Sequence, residues 1–270
     1  MKDGKVSCMQ LVNVILLQNY HFLATPFMAV EPSTLYLVAT PIGNLGDFSA
    51  RAIEVLRDVD AIGCEDTRTS KRLMDANEIS TPLFSMHQHN EHKRLEGLLD
   101  RLIRGESIAV ITDAGTPGIS DPGFLLARAV HQHHSLGHPL HVRVIPGADA
   151  LTTALVSSGL PSEQFHFEGF LPHKKGRATR LSKLAEREVT TVLYESPHRI
   201  ERLVKELYEL TGPSRWICVC RELTKQFEEH LRGTVETVQE RLKTTKIKGE
   251  FVVVVAPKSY QEVEEETKES

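Results

Sequence analysis

The stretch Glu91-His-Lys-Arg-Leu-Glu-Gly-Leu-Leu-Asp-Arg-Leu-Ile-Arg-Gly-Glu-Ser-Ile-Ala-Val-Ile-Thr112 changes period part-way along. Leu95, Leu98, Leu99, Leu102 and Ile103 fall on one face at helical spacing. Gly105 accepts the left-handed torsions that end a helix. The apolar run 107–112 that follows is short and strand-like. A helix handing over to such a strand is one unit of a repeat, and the repeat extends both ways. Upstream, strands are expected at 34–40, 61–64 and 83–86, with helical segments up to Asp58 and over 67–77. Downstream, a helix over 124–130 precedes a strand at 141–145. Strands alternating with helices predict a parallel sheet covered on both faces, with ligands bound beyond the strands' carboxyl ends.

The second half is less regular. Strands are expected at 165–171, 191–194, 216–219, 228–232 and 251–255. Ile200, Leu203, Val204, Leu207 and Leu210 mark one helix, and 235–242 forms another. The fold class is therefore α/β in two domains. A parallel-sheet domain spans 33–148, a mixed-sheet domain spans 149–257, and the change falls near Pro146-Gly147. Residues 1–32 are expected to be a flexible N-terminal extension. In it, Lys2 and Lys5 precede the apolar run 11–17 and loosely imitate a secretory signal, but Asn13 interrupts the run and no small-residue cleavage site follows. Residues 258–270 form an acidic tail with two lysines and five glutamates.

Composition narrows the function. With 40% hydrophobic and 25% charged residues the chain is neither disordered nor low in complexity. It has no run of ~18 apolar residues to span a membrane. Thirty-two basic against 36 acidic side chains give a net charge of −4, which excludes the broadly basic surface of a nonspecific nucleic-acid binder. One local basic run stands out at 174–187, with Lys174, Lys175, Arg177 and Arg180 as candidate RNA contacts. It reads equally as the solvated face of a helix. Four cysteines are too few for a disulfide scaffold and fit a reducing cytosol. Cys218 and Cys220 fall on one face of a strand and are expected to be buried. His131, His133, His134, His138 and His141 read as a helix end and its exit rather than a metal site.

The chemistry is concentrated after strands. Asp113-Ala-Gly-Thr-Pro-Gly-Ile-Ser-Asp-Pro-Gly123 combines glycines that permit close backbone approach with prolines that stiffen it. Pro122 suits the first turn of the next helix. A loop both permissive and rigid suits a preformed pocket. No G-x-G-x-x-G or P-loop pattern is present, which disfavours dinucleotides and triphosphates. Pro41-Ile-Gly-Asn-Leu-Gly-Asp47 follows the first strand, and Asp47 is expected to cap the next helix. Glu65-Asp66-Thr67-Arg68 follows the second. It admits two uses: binding a polar substrate, or complementing a helix dipole. His87-Gln-His-Asn-Glu91 follows the third and matches no strong metal signature, so substrate contacts are expected there rather than a metal. Tyr194-Glu-Ser-Pro-His-Arg199 closes a strand in the second half, and its polar groups are expected to face the first half across a cleft.

Leu37-Val-Ala-Thr-Pro-Ile-Gly-Asn-Leu-Gly-Asp47, Glu65-Asp-Thr-Arg68, His89-Asn-Glu91, the 113–123 loop, Pro146-Gly147 and Tyr194-Glu-Ser-Pro-His-Arg199 together resemble the tetrapyrrole-methylase superfamily of S-adenosylmethionine-dependent methyltransferases. The likeness is closest to its ribosomal branch, the small-subunit rRNA (cytidine-2′-O)-methyltransferases, and spans 33–257. It implies the class III methyltransferase architecture, with S-adenosylmethionine in the cleft between two domains. The implied cofactor contacts are Pro41, Asp113, Gly115, Thr116, Pro117, Gly118, Ile119 and Asp121, then Ala148, then Tyr194, Glu195, Ser196 and Pro197. It also implies methylation of a cytidine ribose in the decoding centre by a homodimer, on naked small-subunit rRNA or the 30S particle. A ribose hydroxyl needs a proton acceptor, for which Asp66, Glu65 and His87 are candidates, with Arg68 and Asn90 holding the RNA. Two other readings compete: methylation of a corrin-type tetrapyrrole, and an RNA-binding ribosome-assembly protein without chemistry.

Overall fold

Short strands that are apolar on both sides need cover on both sides, and the first half of the chain supplies it. The computed structural model describes residues 30–87 and 90–262. Most of the expected N-terminal extension, His89 and the end of the acidic tail therefore lie outside the described residues. The elements run β1 (Thr34–Val38), α1 (Ala50–Asp58), β2 (Ala61–Cys64), α2 (Thr67–Ala76), β3 (Leu83–Ser85), α3 (Glu91–Ile103), β4 (Ile108–Val110), α4 (Phe124–Ser135) and β5 (His141–Ile145). All five strands pair in parallel, in the order β3-β2-β4-β1-β5. Side chains alternate between faces, as the pleat requires. Tyr36, Val38, Ala109 and Ile111 pack with Val55 and Leu56 of α1. Leu35, Ile108 and Val110 pack with Leu98, Leu99 and Leu102 of α3 and Leu126 and Val130 of α4.

Strand order locates the crevice. β1 and β4 are neighbours, yet the chain leaves β1 toward β2 and leaves β4 toward β5. Their exits diverge, which makes a topological switch point, where open α/β sheets bind ligands.

The second half continues with α5 (Ala150–Ser157), β6 (Phe165–Phe170), α6 (Arg177–Ala185), β7 (Thr190–Glu195), α7 (Ile200–Thr211), β8 (Trp216–Arg221), β9 (Glu229–Thr234), α8 (Val235–Leu242) and β10 (Phe251–Val255). The sheet order is β6-β7-β10-β8-β9, with β6 and β7 parallel and the other pairs antiparallel. One face is covered by α6, α7 and α8, where Ile200, Leu203, Val204 and Leu207 are buried. Each such side chain is worth roughly 1.5–3 kcal/mol. The other face is covered by α5, whose Leu151, Ala154 and Leu155 pack on Val192, Cys218, Val252 and Val254. Cys218 and Cys220 are buried on that face with their sulfurs 3.7 Å apart.

Two expected helix starts are corrected. Ser49, not Asp47, caps α1, because its Oγ is the oxygen next to the first turn and accepts from Ala52 N at 3.1 Å. Asp47 lies earlier, in a short 3-10 turn capped by Asn44. Pro122 stands before α4 rather than in it, because Gly123 is the N-cap. Among the described residues no helix is long and apolar enough to cross a membrane.

Candidate active site

The exits of β1 and β4 are stitched together by backbone. Thr40 N donates to Gly115 O at 2.9 Å, and Gly115 N donates back to Thr40 O at 3.1 Å. The Thr40 hydroxyl adds a bond to Thr112 O at 3.1 Å. Gly115 holds φ at +92°, in the left-handed region that strains any residue with a Cβ, so the backbone conformation favours glycine here. The far end of the loop is held by a buried carboxylate. Glu91 Oε1 of α3 accepts from Gly123 N at 3.1 Å, Leu125 N at 3.1 Å and Leu126 N at 3.2 Å. It caps α4 from another helix, satisfying donors that a helix start otherwise leaves unpaired.

This loop forms one wall of a cleft of about 460 Å³ between the two sheets. Asp113, Gly115, Thr116, Ile119 and Asp121 line it, with Tyr194, Glu195, Ser196 and Pro197 opposite. Glu65, from the exit of β2, reaches in and accepts a hydrogen bond from the Thr112 hydroxyl. Burial, and then the neighbouring Glu65, raise Asp113 above the usual carboxylate range. The same two causes push Asp121 up to about 6. Burial also raises the Tyr194 phenol, with Asp149 and Asp121 adding to the effect. Glu195 is buried beneath the turn, bound to Arg199 Nη2 at 2.7 Å and to Ser196 N at 2.8 Å.

Other expected site residues are not part of the cleft lining. Asp66 caps α2 through Arg68 N at 2.8 Å, and the Arg68 guanidinium holds its carboxyl down to about 2. Of the two uses open to this pair, the geometry supports the helix cap. Asn90 Oδ1 accepts from His87 N at 2.8 Å, so both serve the turn before α3. Pro117 and Gly118 are not among the residues that line it, and Pro41 borders a smaller hollow with Ile42 and Leu73. Ala148 meets the loop through its carbonyl, 3.4 Å from the Thr116 hydroxyl. Arg177 is a correction among the RNA candidates. It is 2% exposed, with its guanidinium bound to Glu206 at 2.6 Å. Arg180 lies 3.5 Å from Glu168, while Lys174 and Lys175 are exposed.

Residues 34–239 match the family model described as tetrapyrrole (corrin/porphyrin) methylases. The chain belongs to the tetrapyrrole methylase family. Among its relatives is the ribosomal RNA small subunit methyltransferase I of Xylella fastidiosa, 48% identical over 83% of this chain and 81% of that protein. The protein of the same name from Halalkalibacterium halodurans is 45% identical, over 83% and 76%. The solved uroporphyrin-III-C-methyltransferase of Thermus thermophilus superposes with a TM-score of 0.55 at 18% identity, covering 83% of this chain and 94% of that one. This last likeness concerns the fold alone.

Several lining residues of this methylase escape sequence reasoning. Thr112, Ala114 and Ser120 adjoin or fall inside the quoted motif and could have been taken with it. Asp149 and Ala150 open α5, a helix the periodicity does not reveal. Gly249, Glu250, Phe251 and Val252 line the cleft because β10 runs antiparallel to β7, which sets Phe251 opposite Glu195. Nothing in their local sequence signals that. Phe170, at the end of β6, also lines the cleft.

Proposed function

We propose that this methylase transfers a methyl group from S-adenosylmethionine to the ribose 2′-oxygen of a cytidine in the decoding centre of small-subunit rRNA. The observation that carries the donor is the charge of the cleft. Its lining includes Glu65, Asp113, Asp121, Asp149 and Glu250, and among the described residues no lysine, arginine or histidine lines it. Such walls repel phosphate-bearing ligands and attract a cation. Bound there, S-adenosylmethionine supplies an electrophilic methyl carbon on a positively charged sulfur. The backbone of the 113–123 loop and the turn at Tyr194, Glu195, Ser196 and Pro197 would hold it. The reading includes two domains, 33–148 and 149–257, meeting at the cleft.

The substrate comes from the relatives, which are named for small-subunit ribosomal RNA. Alignment of the reacting groups is worth ~7–11 kcal/mol in such a displacement. A proton acceptor adds ~10²–10⁴ in rate. Of the expected acceptors Glu65 is the one in the cleft lining, and Asp121 interacts with it there. In this reading Asp66 and His87 support the scaffold. The protein works in the cytoplasm as a homodimer, a state that sedimentation measures.

The test incubates the protein with methyl-labelled donor and small ribosomal subunits and maps the label. A single labelled cytidine ribose is expected. Label on a base atom rejects the reading, and so does a parallel incubation with a corrin-type tetrapyrrole in which the ring is labelled in preference to RNA.

A further inference from the structure

β6 does not keep strict alternation. Its pairing with β7 slips between Phe167 and Gly169, and Gly169 takes φ +66°. In a regular strand Phe167 and Phe170, three apart, point to opposite faces. The bulge brings both to the same partner. Phe167 meets the Tyr194 ring at 5.0 Å and Phe170 meets it at 5.5 Å, each edge-on. Bulges commonly re-aim a side chain in this way. The conformation is closely fitted, since a Cβ on Gly169 would stand 3.2 Å from Ser120 Oγ of the opposite loop.

The result is a phenylalanine that lines the cleft yet remains 53% exposed. Beyond the edge contact with Tyr194, much of its surface is open within this chain. Immediately beyond it the chain reads Leu171-Pro-His-Lys-Lys-Gly176. Lys174 and Lys175 are exposed, and neither has an ion pair among the described residues. The neighbouring arginines are occupied, Arg177 by Glu206 and Arg187 by Glu168 at 2.7 Å. An acidic cleft excludes the RNA backbone, so a target nucleotide must enter base and sugar first, with its phosphates left outside. An open aromatic face at the cleft with free cations close behind it in the chain fits that split.

We infer that Phe170 is the platform on which the target nucleobase stacks, with Lys174 and Lys175 taking the flanking phosphates. This inference rests on the reading of the substrate as RNA. Phe170→Ala is expected to raise KM for small ribosomal subunits roughly 5- to 150-fold, the range of a lost base–aromatic stack, with kcat little changed. The Kd for S-adenosylmethionine, by calorimetry, stays at the wild-type value. Phe170→Tyr restores KM, whereas Phe170→Leu, which keeps apolar area without the ring face, does not. Two outcomes overturn the proposal while leaving the substrate reading intact. One is loss of donor affinity in Phe170→Ala with KM for subunits unchanged, which assigns the ring to the donor. The other is a Phe170→Leu variant as active as wild type. Wild-type protein that binds the donor but leaves ribosomal RNA unlabelled overturns the substrate reading and this inference with it.

Discussion

Asp121 carries a consequence for both stability and ligand affinity. Burial first, and Glu65 second, hold it at about 6, above its unfolded value of 3.8. The folded state therefore binds more protons than the unfolded state between these values. The group's stabilising contribution is complete below 3.8 and is lost as pH rises through about 6. Asp121→Asn is expected to stabilise the protein at pH 8 by on the order of 1 kcal/mol after allowance for solvent screening, and to have no such effect near pH 3.5. Chemical denaturation at the two pH values measures this. Affinity for a cationic donor should rise in the wild type as pH passes through about 6, and this rise should flatten in Asp121→Asn. The carboxylate's place in the motif was legible in the sequence; its environment was not, because Glu65 arrives from another strand. Arg177 shows the reverse difficulty. It sits in a basic run, but as the first residue of α6 it is buried against Glu206. A charge count along the chain does not distinguish a buried ion pair from a solvated face.

At the scale of elements, Glu91 joins two helices and the cleft loop. Its one oxygen accepts from Gly123, Leu125 and Leu126. Glu91→Ala leaves three backbone donors at the start of α4 without that acceptor. A loss of about 2 kcal/mol in stability is expected, together with weaker donor binding, because Gly123 closes the 113–123 loop. Thermal melting and calorimetry check the two halves of this prediction, and Glu91→Gln should recover much of the first. Strands and long helices were readable because their periods differ. α7 declares itself through Ile200, Leu203, Val204 and Leu207 on one face. α5 does not. Ala150-Leu-Thr-Thr-Ala-Leu-Val-Ser157 makes barely two turns and carries apolar or small residues around most of its circumference. Its start is set by Asp149, whose carboxylate accepts from Leu151 N at 3.1 Å.

Across the whole molecule, a net charge of −4 and an acid-lined cleft leave few groups to hold RNA. Binding to small subunits should depend only weakly on salt. Lys174→Ala with Lys175→Ala should lower the slope of log K against log salt by about 1.4–1.8, the value for two phosphate contacts. Titration at several salt concentrations gives the slope. The two-sheet architecture was legible because both halves repeat familiar periods, and the switch point follows from strand order. The far wall at Gly249 and Glu250 was not, since long-range antiparallel pairing brings it there. One side chain ties these walls together. Ile42 leaves the end of β1 and is buried, 6% exposed, in the apolar core of the other sheet with Leu151 and Val252. It works as a dowel driven from one body into the other. Any swing that widened the groove would draw it into water, at roughly 1.5–3 kcal/mol. The spacing of the groove is thus set before a ligand arrives. In Ile42→Ala, amide exchange should quicken at Thr40 and Gly115 while the central strands of each sheet keep their protection.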